Sequence, residues 1–475
     1  MQNRVHIGNL KDHIGSDVVV AGWVHVRRDH GKLIFIDLRD ETGKIQIVFN
    51  PKVSEGAHTT AESLRSEWVV SVTGIVKERP DNLINKEEPN GALELAANGI
   101  EIVNEAKTPP FDVTEDTSGV GEEARLKYRY IDLRSERMQR NMRKRSEVVM
   151  YIRNFLVAKS FTEIETPILT KSTPEGARDF LVPSRLQQGK FYALPQSPQQ
   201  YKQLLIASGF EKYFQIPRCF RDEDPRADRA YGEFTQLDIE MAFVEQEDIL
   251  KLTEELFTTM VESVFPEKRI TKKPWPRLTH KEAIAQHQTD KPDLRANTSD
   301  PNELAFAWTL DFPLFAEQTK EDFFHGSGKA TFAPSHHMFT APHPDDIPLL
   351  DTDPMNVRGL QHDMVLNGYE VGGGSIRIHD PNIQTKIFEL IGFTEEQKKE
   401  FRHMLEAFTY GVPPHGGIAP GIDRLLMVIL GEPNLREVIA FPATSGGQAA
   451  VMDAPSEVAK EQLTELGIEI KEKKE

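Results

Sequence analysis

The chain has 475 residues, more than the ~100–200 of one ordinary domain, so its length predicts two or three domains. Its 57 Lys and Arg residues against 74 Asp and Glu residues give a net charge of −17. This balance excludes a protein that coats nucleic acid or membrane by bulk positive charge, but not one with a local basic surface. Cys219 is the only cysteine, which excludes an intramolecular disulfide and a cysteine-rich zinc site. No apolar run approaches the ~18 residues of a membrane helix, so we expect a globular cytoplasmic protein.

The first ~105 residues alternate apolar and polar positions as β-strands do. Five segments show the pattern, at residues 18–26, 32–40, 44–49, 69–76 and 100–103. The sequence DETGK predicts a hairpin loop between the second and third segments, and residues 61–65 predict a short helix before the fourth. Five strands and one helix favour an OB-type barrel, whose sheet face binds oligonucleotides. Another kind of small β-barrel fits the pattern equally well.

Residues 107–124 lack apolar periodicity and contain Pro, Gly and acidic residues, so they predict a linker between domains at 1–106 and 125–475. The second domain opens with nine basic and two acidic residues between Arg125 and Arg145. This segment is either a contact to phosphate backbone or a solvated helix face. Further on, helical stretches alternate with apolar strands joined as hairpins. We therefore expect an α+β fold with an antiparallel sheet flanked by helices.

Three segments carry charge that suits a nucleotide, although the chain has no P-loop and no GxGxxG motif after a strand. Arg221 ends an apolar strand, where a guanidinium can hold a phosphate or carboxylate, although a charged hairpin tip is the alternative. Glu370 precedes three glycines that indicate close approach of a ligand, and its carboxylate can hold Mg²⁺. Arg424 begins an apolar helix after GIAPG, where the helix dipole also favours a polyphosphate.

Taken in order, FTEIETPILTKSTPEGARDF, FRDED with FTQLDIE, GGGSIRIHD and GIAPGIDR resemble the signature motifs of class II aminoacyl-tRNA synthetases of subclass b, and within it the bacterial aspartyl group. The resemblance covers nearly the whole chain. It implies that aspartate and ATP form aspartyl-adenylate and pyrophosphate, and that tRNA(Asp) then accepts the aspartyl group. It also implies Mg²⁺ and a homodimer whose interface contains Pro167.

The resemblance further implies roles for individual residues. Those at the reacting centre are Arg221, Glu370 and Arg424. Those that would hold aspartate are Glu175, Gln199, Lys202, Arg221, Asp238, His336 or its neighbour His337, and Arg377. Those that would hold ATP are Arg221, Asp222, Glu223, Phe234, Glu370 with Mg²⁺, Gly421, Ile422, Asp423 and Arg424. Those that would contact the anticodon are Arg28, His30, Phe35, Gln46 and Pro80.

Two pairs of these residues bear on the choice of amino acid and of tRNA. Lys202 and Arg377 would clamp the side-chain carboxylate of aspartate, because an amide would leave buried cationic donors without an anion. His30 and Pro80 resemble the branch of the family that charges both tRNA(Asp) and tRNA(Asn). Phe35 is expected to stack on a base, with a place in the barrel core as the alternative.

The chain departs from the family in three places. The domain that bacterial members usually carry is absent near residues 295–305, Ala230 and Tyr231 stand where a glutamine is customary, and Pro420 replaces a bulky residue. Other readings stay open: an enzyme for tRNA(Asp) alone, an asparaginyl or lysyl enzyme, and a paralogue that binds tRNA without charging it. An ammonia-dependent asparagine synthetase on the same core is a further alternative, but it would not need a barrel bearing Phe35 and Gln46.

Overall fold

The computed structural model describes residues 3–172, 177–223, 231–317 and 332–471. The chain divides into two compact units, Met1–Glu136 and Arg137–Glu475. No helix within the described ranges is both long and apolar enough to cross a membrane.

The first unit contains a closed five-stranded barrel with the strand order β1-β2-β3-β5-β4. Its elements are β1 (Asp17–His30), β2 (Leu33–Asp40), β3 (Gly43–Phe49), α1 (Glu55–Ser63), β4 (Val69–Glu78) and β5 (Leu93–Asn104). The predicted barrel and its five strands are confirmed. Helix α1 begins earlier than expected because Ser54 caps it, its hydroxyl accepting a hydrogen bond from the Ala57 amide.

Two barrel strands are longer than the sequence pattern predicts. A register shift between Val24 and Val26 lets β1 continue its pairing with β2 as far as His30. Strand β5 begins at Leu93, where residues alternate inward and outward before the predicted start at residue 100. This early part of β5 pairs in parallel with β3, and that pairing closes the barrel.

Strand β2 shows how the barrel divides its side chains between two faces. Ile34, Ile36 and Leu38 are buried inside, whereas Phe35 and Asp37 lie half-buried on the outer face. Phe35 is therefore a surface residue of the barrel and not a member of its core.

Two short helices, α2 (Glu122–Lys127) and α3 (Arg129–Asp132), follow the barrel and begin the basic segment. Most of its charges are used inside the protein, because at least seven of its nine basic residues form ion pairs with carboxylates in the described part of the chain. They are Arg125, Arg129, Arg134, Arg137, Arg140, Lys144 and Arg145. Arg129 and its partner Asp132 are buried, so this pair belongs to neither a phosphate surface nor a solvated helix face. Arg140 and Arg143 are exposed, and for them a phosphate contact stays a prediction.

The second unit begins with α4 (Glu136–Ala158), β6 (Thr162–Glu163), β7 (Leu181–Pro183), β8 (Phe191–Ala193), α5 (Gln199–Ala207), β9 (Lys212–Gln215), β10 (Arg218–Arg221), β11 (Gly232–Thr235), β12 (Asp238–Ala242), α6 (Gln246–Val264), β13 (Arg269–Ile270), β14 (Arg277–Thr279) and α7 (His280–His287). It continues with β15 (Glu303–Leu304), β16 (Phe306–Leu310), β17 (Phe315–Glu317), β18 (Phe332–Pro334), β19 (Gln361–Leu366), β20 (Tyr369–Ile376), α8 (Pro381–Leu390), α9 (Glu395–Glu400), α10 (Arg402–Thr409), β21 (His415–Pro420), α11 (Ile422–Leu430) and α12 (Lys460–Leu466).

Its main sheet has the order β14-β16-β19-β20-β21-β12-β9-β6 among the described strands. The six central strands pair antiparallel, as predicted. The two edge strands pair in parallel with their neighbours, which makes the sheet mixed. Apolar faces of α4, α6 and α11 cover it, for example through Val148, Leu256 and Leu425.

The hairpin of β19 and β20 contains a bulge and a run of glycines. The register shifts between Met364 and Val365, so that β20 has one more residue than β19 opposite it. Gly374 must lack a side chain, because a Cβ there would lie 2.2 Å from the Gly417 carbonyl oxygen on β21. The glycine run thus allows close approach of neighbouring backbone at this point.

The chain crosses the position of the absent family domain in a compact turn between α7 and β15. The carboxylate of Glu303 accepts hydrogen bonds from the amides of Ala296 and Asn297. Arg295 pairs with Asp293 in the same turn. The connection is therefore closed by its own hydrogen bonds.

Candidate active site

Four buried charged residues form an ionic cluster at the centre of the second unit: Lys202, Asp238, Glu240 and Arg377. The Lys202 ammonium lies 2.6 Å from Asp238 Oδ1 and 3.3 Å from Glu240 Oε2. Arg377 donates two hydrogen bonds to the Glu240 carboxylate, at 2.9 and 3.2 Å. Asp238 and Glu240 share one side of β12 because side chains two residues apart in a strand point the same way.

The surroundings shift the pKa values of the two carboxylates of the ionic cluster in opposite directions. Burial would raise the pKa of Glu240, but Arg377 and Lys202 outweigh that effect and lower its pKa to about 2. Burial raises the pKa of Asp238 despite the neighbouring Lys202. Asp238 Oδ2 is buried and has no hydrogen-bond partner within the described part of the chain. The cluster thus holds two cations, one firmly ionised carboxylate and one acceptor oxygen without a donor.

Helix α5 positions Lys202 by the spacing of its buried residues. Gln199, Lys202, Gln203 and Ile206 recur at helical spacing on one buried face. The Gln199 amide donates to Gln203 Oε1 at 3.1 Å, so the predicted residue Gln199 is fixed beside Lys202. Gln203 in turn lies 3.0 Å from His415 Nε2. Burial lowers the pKa of His415 to about 4, so this ring is neutral near pH 7.

A second group of side chains converges above Gly373 in β20. A Cβ on Gly373 would lie 3.3 Å from Asp363 Oδ1, 3.4 Å from His336 Nε2 and 3.5 Å from Glu370 Oε1. His336 therefore reaches this point. The neighbouring His337 instead packs its ring against Phe339 at a centroid distance of 5.0 Å. The surrounding protein and the positive charges of Arg377, Lys202 and Arg221 lower the pKa of His336, although the residue is exposed.

Asp363 and Glu370, here called the carboxylate pair, suit a divalent cation. Burial and the negative charge of Glu370 raise the pKa of Asp363 well above its ordinary value, so a bound cation would relieve the repulsion within the pair. Mg²⁺ takes carboxylate oxygens and keeps several waters, so two ligands from the protein fit it. No group of three or more His, Cys, Asp or Glu side chains within the described residues has metal-binding geometry.

Arg221 lies at the end of β10 with its guanidinium 5.1 Å from the centre of the Phe234 ring. Its Nε donates to the Gln196 carbonyl at 3.3 Å. Asp222 and Glu223 follow it directly, and the Glu223 amide donates to the Arg221 carbonyl in a tight turn. The structure thus brings Arg221 and Phe234 together and places the two predicted acidic residues in the adjacent loop.

Arg424 is anchored next to the carboxylate pair. Its guanidinium donates to the backbone carbonyl of Glu370 at 2.7 Å, which links the first turn of α11 to β20. The Gly421 amide donates to the Val371 carbonyl at 2.9 Å and strengthens the same link. Arg424 and Glu370 therefore belong to one site.

Ile422 and Asp423 hold α11 in place from within the protein. Ile422 is fully buried in the core. The Asp423 carboxylate accepts a hydrogen bond from the Thr235 amide at 2.8 Å and pairs with Arg145 at 2.5 Å. Their side chains connect α11 to β11 and α4, so a contact of these two residues with ATP would have to come from backbone atoms.

Tyr231 occupies the altered loop before β11. Its ring lies edge-on to the Phe180 ring at a centroid distance of 6.2 Å. The ring also packs against Gly447, where a Cβ atom would lie 2.8 Å from the nearest ring carbon of Tyr231. Its hydroxyl lies 3.4 Å from Asp222 Oδ1. Ala230 and the predicted aspartate-binding residue Glu175 lie outside the described residues.

The outer face of the barrel, considered by itself, gathers the predicted anticodon residues. Arg28 stands opposite Phe35, and Asp37 stands opposite Gln46, in the registers of β1–β2 and β2–β3. Arg28 makes two hydrogen bonds to Asp37, at 2.7 and 2.8 Å. The His30 ring packs edge-on against Phe35 at 5.5 Å. We call Arg28, Phe35, Asp37 and Gln46 the barrel face.

A polar cavity of about 360 Å³ opens beside Gln46 on the same unit. Besides barrel-face residues, it is lined by Lys44, Arg79, Asn85, Glu88 and Asn90. Sequence reasoning singled out none of these five, although Arg79 adjoins the predicted residue Pro80, which is exposed. A pocket with both donors and acceptors suits the polar edge of a base.

Two family models match this chain. Residues 18–103 match "OB-fold nucleic acid binding domain", and residues 121–445 match "tRNA synthetases class II (D, K and N)". The chain belongs to the class II tRNA synthetases. Members of this class use ATP as a substrate.

The synthetase has curated relatives of similar sequence. It is 42% identical to "Aspartate--tRNA(Asp/Asn) ligase" of Rubrobacter xylanophilus, over 98% of this chain and 96% of the relative. It is 40% identical to "Aspartate--tRNA ligase" of Staphylococcus saprophyticus, over 96% of this chain and 97% of the relative. The Rubrobacter alignment spans 588 positions, whereas the synthetase has 475 residues, so at least 113 positions (588 − 475) face a gap in this chain. This difference agrees with a missing inserted domain.

Solved structures resemble the synthetase along most of its length. Asparaginyl-tRNA synthetase from Pyrococcus horikoshii, complexed with asparaginyl-adenylate, aligns with a TM-score of 0.74 and 25% identity, covering 94% of this chain and 99% of that one. A putative aspartyl-tRNA synthetase from Leishmania major aligns with a TM-score of 0.73 and 22% identity, covering 93% of both. The second likeness concerns the fold alone.

Proposed function

We propose that this synthetase attaches L-aspartate to tRNA in two steps, through aspartyl-adenylate. The observation that carries the proposal is the ionic cluster, in which Lys202 and Arg377 flank a Glu240 that is itself ionised. Lys202 and Arg377 have more N–H donors than their bonds to Asp238, Glu240 and Ser375 use, so both can donate to one more carboxylate. The names of the curated relatives support the same substrate.

Charge explains how aspartate would be chosen over asparagine. The side-chain carboxylate of aspartate would satisfy Lys202 and Arg377 together, whereas an amide would place an N–H group against a buried cation. The free oxygen of Asp238 suits the substrate ammonium. Gln199 lies on the same face of α5, while Glu175 and the neutral ring of His336 complete the proposed set.

In the first step an α-carboxylate oxygen of aspartate attacks the α-phosphorus of ATP, and the bond to the β-phosphate oxygen breaks to release pyrophosphate. Arg221 would neutralise the α-phosphate and Arg424 the outer phosphates, since transfer at phosphorus depends mainly on positioning and charge. Phe234 would stack on the adenine beside Asp222 and Glu223. Mg²⁺ held by the carboxylate pair would supply further positive charge to the phosphates.

In the second step the terminal ribose of tRNA attacks the mixed anhydride and AMP leaves. The barrel face would bind the anticodon, with Phe35 stacking on a base and Gln46 meeting its edge. We include tRNA(Asn) as a second acceptor. The sequence pattern of His30 and Pro80 and the contact between His30 and Phe35 support this extension.

We further propose that the synthetase works in the cytoplasm as a homodimer. Pro167 is exposed, and the adjoining Ile168 and Leu169 are 51% and 52% exposed. These residues follow β6, the edge strand of the main sheet. An exposed apolar run beside a sheet edge is typical of a protein interface.

The test of the first step is exchange of labelled pyrophosphate into ATP. We expect exchange with aspartate, and none with asparagine or lysine. Arg424→Ala should abolish it with an intact fold, whereas Arg402→Ala, at an exposed position on α10, should leave it unchanged. Exchange that is independent of aspartate, or equal in both variants, would refute the proposal; a chain that binds tRNA without any exchange would be a non-charging paralogue.

The test of the second step is aminoacylation of separate tRNA(Asp) and tRNA(Asn) transcripts with aspartate. We expect both to be charged. Charging of tRNA(Asp) alone would identify an enzyme restricted to that tRNA and would leave the first step untouched.

A further inference from the structure

The chain between α7 and β15 begins on the same face of the main sheet as the carboxylate pair. Thr309 on β16 stands opposite Asp363 on β19, and Asp363 stands opposite Gly373 on β20. Directly opposed residues of antiparallel strands point to one face, so these three positions form a row across the sheet. The buried Thr309 hydroxyl donates to the Asp290 carbonyl at 2.7 Å. Asp290 and the residue after it are therefore held over this row, beside Asp363.

A second contact fixes the same stretch of backbone three residues later. A Cβ on Gly368, in the turn of the β19–β20 hairpin, would lie 3.4 Å from the Asp293 Cβ. Its neighbour Asn367 donates to the Glu303 carbonyl at 3.0 Å and accepts from the Ala305 amide at 2.8 Å, which ties the hairpin turn to the start of β15 as well. The backbone is thus anchored on both sides of residue 291.

Lys291 lies between these anchors and is exposed. Its ammonium makes no hydrogen bond or ion pair with any residue that the structure describes. Burial, Glu370 and Asp290 raise the pKa of Asp363, and the positive charge of Lys291 acts in the opposite direction. Because the effect of a charge falls with distance, Lys291 lies close to the carboxylate pair. Its flexible stem leaves the ammonium able to turn toward a ligand there.

The order of the strands places the carboxylate pair between two cations. Arg424 follows β21 and donates to the Glu370 carbonyl, so it approaches the pair from the β21 side. Lys291 approaches from the β16 side, where Thr309 holds the preceding residue. A lysine binds phosphate as a point charge, and one divalent cation does not neutralise a polyphosphate. A cation on each side of a Mg²⁺ site therefore suits a nucleoside triphosphate.

We propose that Lys291 is a further substrate-binding residue, which contacts the β- and γ-phosphates of ATP and the pyrophosphate that leaves. The inference rests on the proposed function, because it places ATP at the carboxylate pair. When the bond from the α-phosphorus to its bridging oxygen breaks, the electron pair of that bond stays with pyrophosphate. Negative charge on the outer phosphates then grows, and an ammonium beside them would stabilise it.

Calorimetric titration of the full-length chain with ATP and with AMP, in Mg²⁺ and without aspartate, tests the contact. Lys291→Met should weaken ATP binding about tenfold or more, because it removes a charged contact to phosphate. It should leave AMP binding unchanged, since AMP has no outer phosphates. Lys291→Arg keeps the charge and should retain most of the ATP affinity.

Lys251→Met is the matched control, because it removes one exposed positive charge from the opposite face of the sheet. Lys251 is 70% exposed on α6, a helix that shares its core with Trp308, the β16 neighbour of Thr309. This variant should bind ATP and AMP as the wild type does. An equal loss of ATP affinity in Lys251→Met and Lys291→Met would reduce the effect to overall charge and overturn the contact.

Equal ATP affinity in Lys291→Met and the wild type would also overturn the inference, as would an equal loss of affinity for ATP and AMP. In pyrophosphate exchange, the KM for pyrophosphate should rise in Lys291→Met while the KM for aspartate stays unchanged. If ATP affinity depends on Lys291 but exchange does not depend on aspartate, the proposed function fails and the contact stands. Aspartate-dependent exchange with unchanged ATP affinity in Lys291→Met would give the reverse.

Discussion

Glu240 gives the ionic cluster its fixed negative charge. It is fully buried and joins Lys202 to Arg377, which would otherwise be two like charges in the protein interior. In the proposed function, an incoming carboxylate would then meet two buried cations that are already ordered. Preorganised charge of this kind favours an anion without requiring the protein to rearrange when the ligand binds.

We predict that Glu240→Gln lowers the free energy of unfolding by about 3–5 kcal/mol, because it leaves buried cations uncompensated. Urea denaturation measures the change. Glu247→Gln is the control, since Glu247 and its partner Arg277 are both about 40% exposed, and it should cost under ~1 kcal/mol. Saturating aspartate should restore part of the loss in Glu240→Gln. Equal losses in the two variants would show that Glu240 is not a buried counterion.

The same charge predicts a pH dependence. The pKa of Glu240 is lowered from 4.5 to about 2, so its stabilisation is fully present above pH 4.5 and is lost as the pH falls towards 2. The difference in unfolding free energy between wild type and Glu240→Gln should therefore shrink between pH 5 and pH 3. Urea titrations at pH 7, 5, 4 and 3 measure it, and a difference that stays constant over this range would contradict the assigned charge.

Sequence reasoning assigned roles to Lys202, Arg377 and Glu370 but none to their partners Glu240 and Asp363. Glu240 ends the motif FTQLDIE, where only Asp238 received a role, and Asp363 lies outside the quoted motifs. Their roles arise only when β12 and β19 take their places in the sheet. The available signal was spacing: Glu240 is two residues after Asp238 in one strand, and Asp363 is seven before Glu370 in the same hairpin.

At the scale of elements, β20 shows how glycines divide between folding and function. A Cβ on Gly374 would meet backbone of β21 at 2.2 Å, whereas one on Gly373 would meet only side-chain atoms, at 3.3–3.5 Å. Gly374 is therefore needed for the sheet to form, and Gly373 keeps the space between Asp363, His336 and Glu370 open.

We predict that Gly373→Ala folds and that its free energy of unfolding falls by less than ~1 kcal/mol, a loss of the size seen for many single substitutions. It should raise the KM for ATP in pyrophosphate exchange about tenfold, because its methyl group would occupy space beside the carboxylate pair. Gly374→Ala is the contrasting variant and should fail to fold. An unchanged KM in a folded Gly373→Ala would show that ATP and its metal do not use this space.

Long periodic elements were predictable and short ones were not. Helical stretches predicted from residues 199 and 245 match α5 and α6 within a few residues, whereas the stretch predicted from residue 146 misses the first ten residues of α4. The missed turns carry most of the basic segment and few apolar residues. The parallel edge pairings of β6 and β14 had no sequence signal, since each involves only two or three residues paired with a distant strand. Tertiary position alone determines such strands.

At the scale of the whole molecule, the barrel and the main sheet lie in different compact units of the chain. A different family model matches each of them. In the proposed function, the side chains assigned to adenylate formation lie in the second unit and the barrel face lies in the first. Recognition of tRNA by the barrel face should then be separable from the first step by mutation.

We predict that Phe35→Ala leaves aspartate-dependent pyrophosphate exchange unchanged and lowers kcat/KM for aminoacylation about 10- to 100-fold, in line with the ~1–3 kcal/mol of one base–aromatic stack. Val53→Ala, at an exposed site after β3, is the control and should change neither rate. A parallel loss of exchange in Phe35→Ala would contradict this separation.

The bulge in the β19–β20 hairpin determines which side of the sheet receives Glu370. Glu370 and Gly373 are three residues apart, so a regular strand would place them on opposite faces, yet the extra residue brings the Glu370 carboxylate above Gly373. Deleting Val371, the extra residue, would leave Glu370 two residues before Gly373, a separation that a regular strand places on one face. In the evolution of this hairpin, loss of the bulge would therefore keep Asp363 and Glu370 on the same side of the sheet.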